Sequence, residues 1–169
     1  MAALPDSPLV SVEEYLGTSY DPDMEFVDGV LVERNVGDWL HSRVQGNVYF
    51  SLRKKYAQLK VAPELRSKTA TTRYRIPDVS AVLAAPSTDY LVEPAFLVAE
   101  ILSKRDVMSV VMAKLKEYHA TGVPNIWLID PRLQSMCVYR PPALVEIEGD
   151  TIATADGSVE LTRGEIFAE

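Results

Sequence analysis

The 169-residue chain has a single cysteine, Cys137, and no uninterrupted apolar stretch approaching the ~18 residues of a membrane span. A disulfide scaffold is thereby excluded, and a reducing compartment is the simpler reading. Met1-Ala-Ala-Leu-Pro-Asp6 offers neither a basic start nor a long apolar segment, so no secretory signal is read and a cytoplasmic protein without a membrane partner is expected. Aromatic residues make up only 8%, too few for the aromatic-lined cleft that a carboxylate-pair glycosidase would need. An excess of positive charge is missing as well. Seventeen Lys and Arg face 24 Asp and Glu, for a net charge of −7 and a pI near 4.9. A domain that grips nucleic acid by charge alone usually has a pI above about 9, so that class is excluded; a nuclease using bound metal cations and one local basic strip is not. No internal repeat, low-complexity stretch or linker is found.

What the chain does have is the material of an ordinary globule: 47% hydrophobic and 24% charged residues, in a length suited to one domain spanning 1–169. The apolar content is enough to offset chain entropy. The basic residues cluster at Arg53-Lys54-Lys55, at Arg66, Lys68, Arg73 and Arg75, and at Lys104-Arg105; solvated surface is the simplest reading of each cluster.

The hydrophobic pattern divides the chain into short elements. Ser11-Val-Glu-Glu14 has capping-box spacing and predicts a short helix through Leu16. Asp28-Gly29 between apolar flanks predicts a tight hairpin. Leu40, Val44, Val48, Leu52 and Tyr56 recur at i+4, which predicts a helix from Asp38 to about Leu59, with Asp38 as N-cap. Gly46 is a mild cost inside that helix or a point of close packing. Lys60–Arg66 and Thr71–Arg75 read as antiparallel strands. Pro77–Ala84 and Ala95–Leu102 read as strands buried on both faces. A helix is expected over Val107–Ala120, closed by Gly122, and then a buried strand over Asn125–Asp130. Short strands are expected at 135–139, 144–148, 151–154 and 158–161. The order predicts a mixed α/β (α+β) domain around one sheet, with an N-terminal hairpin and a β-rich C-terminal appendage over 141–169.

The informative residues are acids placed among apolar ones. Glu100 sits in Phe96-Leu-Val-Ala-Glu-Ile-Leu102, and Asp78 follows Pro77 at the start of Val79-Ser-Ala-Val-Leu83. Burying an ionised carboxylate costs several kcal/mol unless a cation compensates it. Two acids on adjacent core strands repel unless they share a proton or a metal. A hard cation such as Mg²⁺ takes one or two carboxylates plus water and phosphate oxygens. The plainer alternative is that Glu100 pairs with a lysine and Asp78 caps a turn.

Pro77-Asp78 followed by Glu100 in a hydrophobic strand resembles the PD-(D/E)xK nuclease core. More specifically, the chain resembles the Uma-two family of restriction-endonuclease-like proteins. The matching pieces, in order over residues 11 to 140, are Glu25-Phe-Val-Asp-Gly29, His41, Ile76-Pro-Asp-Val79, Val98-Ala-Glu-Ile-Leu-Ser103, Lys114 with Tyr118, Gly122-Val123, and Trp127-Leu-Ile-Asp-Pro131. The resemblance implies a restriction-endonuclease-like core, a mixed central sheet flanked by helices, and hydrolysis of nucleic-acid phosphodiesters with Mg²⁺ or Mn²⁺. DNA is the implied substrate. Asp78 and Glu100 match the metal-binding acids, and Lys114, on the helix after Glu100, matches the lysine displaced from the position of Leu102. Departures from the family pattern are Val110 where an Asp is usual, Ser103-Lys-Arg-Asp106 for Ser-Pro-Ser-Thr, and Asn125-Ile126-Trp127 for Glu-Tyr-Trp. They favour an alternative reading, a catalytically weak nuclease-fold protein that binds nucleic acid or protein.

Further residues are accessory candidates. Glu25 could supply a third acid or be an exposed strand residue. His41 could move a proton, touch phosphate or be structural. Glu64 could reach a metal or lie on the surface. Tyr118, Trp127 and Cys137 follow the apolar pattern and read as packing residues. A homodimer is expected, because cutting two strands commonly needs a two-fold partner; Val138-Tyr139 and Leu144–Glu146 are its candidate interface strands.

Overall fold

The computed structural model describes residues 9–35 and 37–169, so the expectation for Met1–Asp6 lies outside the described residues. α1 (Val12–Gly17) opens where Ser11 accepts a hydrogen bond from the Glu14 amide. β1 (Glu25–Val27) and β2 (Val30–Val32) form the hairpin, with Asp28 at φ +50° and Gly29 at φ +90°, the left-handed pair that a two-residue turn requires. α2 (Trp39–Lys55) starts at Asp38, whose carboxylate takes the His41 amide at 3.0 Å, and ends on Arg53-Lys54-Lys55, favourable beside the helix's negative pole. It stops four residues earlier than the pattern predicts. At Gly46 a Cβ would meet nothing, so the close-packing alternative does not apply.

β3 (Lys60–Pro63), β4 (Ser67–Ala70), β5 (Arg73–Arg75), β6 (Val79–Val82) and β7 (Leu97–Ile101) follow. α3 (Met108–Ala120) crosses to β8 (Asn125–Asp130), then β9 (Ser135–Arg140), β10 (Ala143–Glu146), β11 (Thr151–Ala153), β12 (Glu160–Thr162) and α4 (Arg163–Phe167). The central sheet has the order β10-β9-β8-β7-β6-β3; it is mixed, with β7 and β8 parallel and joined through α3.

Among the described residues three sheets stand where the pattern suggested one. The hairpin belongs to a four-stranded antiparallel sheet, β2-β1-β5-β4, and β11 pairs with β12 in a third. Segments 60–66 and 71–75 therefore part company: β3 pairs with β6, whereas β5 pairs with β1 and with β4, around a turn at Thr71-Thr72. Alternation shows that a segment is a strand and leaves its partner open. β10 completes the edge of the central sheet, so the appendage proper begins after it. α4 escaped the reading because it is five residues long; Thr162 and Glu165 form its capping box. Val138 and Tyr139, candidate interface residues, are buried in the protein's own cores; Val145 on β10 is exposed.

Period-two alternation sorts the central sheet into two faces. Val79, Ala81, Leu97, Ala99 and Ile101 face α2, packing with Val44, Val48, Leu52 and Trp127. Val98, Ile126 and Leu128 face α3 and pack on Val111, Leu115 and Tyr118. By the same alternation, Asp78 and Glu100 belong to the α3 face. The β6–β7 register, Val79↔Ala99, brings them opposite one another when continued by one residue.

Candidate active site

The two acids open onto a cleft of about 230 Å³ at the end of β6 and β7, roofed by α3 and walled by the hairpin sheet. Asp78 is buried. Its Oδ2 accepts the Ile101 amide at 2.8 Å, and its Oδ1 faces His41 Nε2 at 3.2 Å and an Arg34 guanidinium nitrogen at 3.4 Å. Burial alone would raise its pKa; the hydrogen bond and charge of His41, the Ile101 amide and the Lys114 ammonium outweigh it and hold the carboxyl below the usual range. Glu100 is also buried, and its Oε1 accepts the Tyr118 hydroxyl at 2.5 Å and lies 3.3 Å from Lys114 Nζ. Its pKa is pushed up to about 7, first by burial and then by the facing charges of Asp78 and Glu25, against the pull of Lys114. Two neighbouring carboxyls are thus driven apart in acidity.

Lys114 projects inward from α3, one turn before Tyr118. Its ammonium sits 2.9 Å from Glu25 Oε1 as well as 3.3 Å from Glu100 Oε1. Burial works against that charge, but Glu100, Glu25 and Asp78 together keep it protonated far above neutrality. Glu25 is buried in β1 rather than exposed, and takes hydrogen bonds from Arg75 at 3.0 Å and from the Ile76 amide at 3.1 Å. Arg75 spans Glu25 and Glu117, the latter through two hydrogen bonds of 2.8 and 2.6 Å. Such a fork fixes direction as well as charge.

His41, in the first turn of α2, belongs to the same cluster. Burial lowers its pKa, but Asp78 and the more distant Asp106 raise it above the ordinary value. At Gly37 a Cβ would stand 2.9 Å from His41 Nδ1, so a side chain there would displace the ring. Glu64 stays outside: its carboxylate is half exposed, 3.6 Å from Arg34, and does not line the cleft. Its part is through the backbone, at φ +49°, where its amide meets the Asp78 carbonyl at 3.3 Å. Val110 and Asp106 both line the mouth, where Asp106 caps the Ser103 amide at 2.7 Å. Trp127 is core, and Cys137 is half-buried against the α3-side core with its thiol pKa raised by burial.

Arg34, Arg75, Glu117 and the Tyr118 hydroxyl were not read as site groups. Tyr118 could have been found, since it lies four residues after Lys114 on one helical face. Arg75 carried no signal beyond its place in a basic cluster.

A profile of the Uma2 family, described as "Putative restriction endonuclease", matches residues 12–167. The chain belongs to the Uma2 family. Its fold is similar to the crystal structure of a putative nuclease belonging to DUF820 from Anabaena variabilis, with a TM-score of 0.79, 19% identity, and 94% of this chain and 98% of that one covered. A DrdV–DNA complex shares 12% identity at a TM-score of 0.35, covering 75% of this chain and 9% of that one, a likeness too slight to carry an argument. No curated protein matches the chain. Among the described residues no helix is long and apolar enough to cross a membrane.

For this Uma2 protein the donor chemistry at the cleft fits a hard divalent cation. Asp78 and Glu100 offer carboxylate oxygens on one sheet face, and a cation there would offset both the burial and the Asp78 charge that raise Glu100. No group of three acids, histidines or cysteines converges on one point among the described residues.

Proposed function

We propose that this Uma2 protein is a divalent-metal-dependent endonuclease that hydrolyses phosphodiester bonds in DNA, working as one domain over 1–169 and as a homodimer. The carrying observation is the buried pair Asp78 and Glu100 with the Lys114 ammonium 3.3 Å from Glu100. Asp78 and Glu100 would hold Mg²⁺ or Mn²⁺. When bound, the cation supplies neutralisation at the phosphate and acidifies the attacking water.

The remaining chemistry belongs to the chain. The Lys114 ammonium offsets negative charge that grows on the phosphoryl oxygens, and Glu25, itself fixed by Arg75 and the Ile76 amide, sets where that ammonium points. Tyr118 holds a proton against Glu100 Oε1 and so fixes the carboxylate plane. His41 orients Asp78 through Oδ1.

Plasmid and linear DNA incubated with Mg²⁺ or Mn²⁺ should be cleaved, and Lys114→Met, which keeps the stem packing, should cut the rate by a factor of about 10² or more. Isothermal titration should show a divalent cation bound by the parent and lost in Asp78→Asn. A variant that cleaves as well as the parent would reduce Lys114 to a structural ion-pair partner. A parent that cleaves neither DNA nor RNA with either metal would leave the alternative, a nuclease-fold binding protein, for which Val110 at the cleft mouth is the favouring observation.

A further inference from the structure

The longest helix carries a surface used by neither the core nor the proposed chemistry. α2 has no Asp or Glu in 17 residues, within a chain of net charge −7, and it carries Arg43, Arg53, Lys54 and Lys55. Two of its exposed side chains are large aromatics: Trp39 is 75% exposed and Phe50 61%. At about 100° per residue, Trp39, Arg43, Gly46, Phe50, Arg53 and Lys54 share roughly 100° of the helix circumference. Val44, Val48 and Leu52, which pack on the sheet, lie opposite.

The charges on this strip are free of acids. Lys55 finds Glu165, but Arg43, Arg53 and Lys54 have no carboxylate partner among the described residues. Lys54 lies 5.6 Å from the Phe50 ring centroid; Arg53 lies 5.6 Å from that of Tyr49 and donates to its hydroxyl at 2.8 Å. At Gly46, between the exposed aromatics, a Cβ would touch nothing, so the surface there is open. The helix begins at the cleft, where His41 meets Asp78, and the strip runs outward about 16 Å from Trp39 to Phe50.

We infer that the outer face of α2 is a docking strip for single-stranded nucleic acid leading to the cleft, with unpaired bases stacking on Trp39 and Phe50 and phosphates meeting Arg43, Arg53 and Lys54. Rings exposed on a convex helix can stack only on bases whose faces are free, and a duplex hides those faces within its own stack. Stacking is also the term that an acidic protein with three free cations can add to a weak charge attraction. The inference rests on the nucleic-acid reading above, but its readout is binding and needs no cleavage.

Anisotropy of a short fluorescein-labelled oligothymidylate, and of the same strand paired with oligodeoxyadenylate, tests it on the full chain. The parent should prefer the single strand. Trp39→Ala with Phe50→Ala should weaken single-strand binding at least about tenfold and leave the duplex nearly unchanged. Arg53→Gln with Lys54→Gln should lower the slope of log affinity against log salt by roughly 1.4. Circular dichroism should show all variants folded, since the altered side chains are exposed. A parent that binds neither strand, or aromatic variants that bind as the parent does, would overturn the inference. So would aromatic variants that turn a dimer into a monomer by light scattering while oligonucleotide affinity holds, which would assign the strip to a second copy of the chain. A parent that binds but never cleaves would sink the endonuclease and leave the strip standing.

Discussion

Two ion pairs on one ladder show how much context decides. The antiparallel register of β1 and β5, Phe26↔Tyr74 and Val27↔Arg73, also brings Glu25 to Arg75, and the hairpin turn brings Asp28 to Arg73. Each joins an acid of the hairpin to an arginine of β5. Yet the Glu25–Arg75 pair is about 5% and 9% exposed, while the Asp28–Arg73 pair is 49% and 37% exposed. The outer pair is hydrated and screened, and contributes little. The inner pair has lost its water. It is tolerable because Lys114, Glu117 and the Ile76 amide complete the network, and breaking it would strand charges in a low-dielectric site. The inner pair supports the cleft; the outer one lies diagonally across the ladder at the exposed turn.

The contrast is sharpest if Arg75 is removed. Arg75→Met keeps the bulk and leaves Glu25 and Glu117 without their shared guanidinium; we expect a loss of about 3 kcal/mol in urea unfolding, with the m-value unchanged. A loss too small to measure would mean that the inner pair is as hydrated as the outer one.

Acid separates the pairs next. For Glu25, burial raises the pKa, but Lys114, Arg75 and the Ile76 amide outweigh it, so the folded value lies below the ordinary 4.5. Its contribution to stability is therefore fully present above about 4.5 and is lost as pH falls through the lower, folded value. Glu25→Gln should be less stable than the parent at neutral pH and should converge with it below pH 4.5 in thermal melts. Parallel curves down to the acid limit would show that Glu25 is not the group responsible.

The smallest effect belongs to the outer pair. Asp28→Asn keeps a residue that accepts φ +50° and removes the charge facing Arg73. Its unfolding midpoint should stay within experimental scatter of the parent's, and a clear drop would place the outer pair among the structural ones.

The local signals in the chain were sufficient for most elements. Asp28-Gly29 encodes its turn through the φ values it tolerates, and Asp38 encodes a helix start through its carboxylate. The i+4 stripe of α2 and the apolar runs of β6, β7 and β8 state their own burial. Asp78 and Glu100 were conspicuous because ionisable groups rarely sit in such runs, and Lys114 was reached through family resemblance. Its place three residues after the buried Val111 sets it at the edge of the buried face of α3.

What the sequence could not state was which strand lies beside which. Pairing between strands far apart in the chain is set by a fit of whole faces, and a two-residue period carries no address for its partner. That fit decided that β5 lies on β1, bringing Arg75 to Glu25; that Glu117 and Tyr118 of α3 reach back to the same cluster; and that Glu64, an acid like the others, stays outside it. Residue type along the chain determined that carboxylates would be buried. Only the tertiary packing decided which cations meet them, because desolvation and a charge a few ångströms away act through space and not along the sequence.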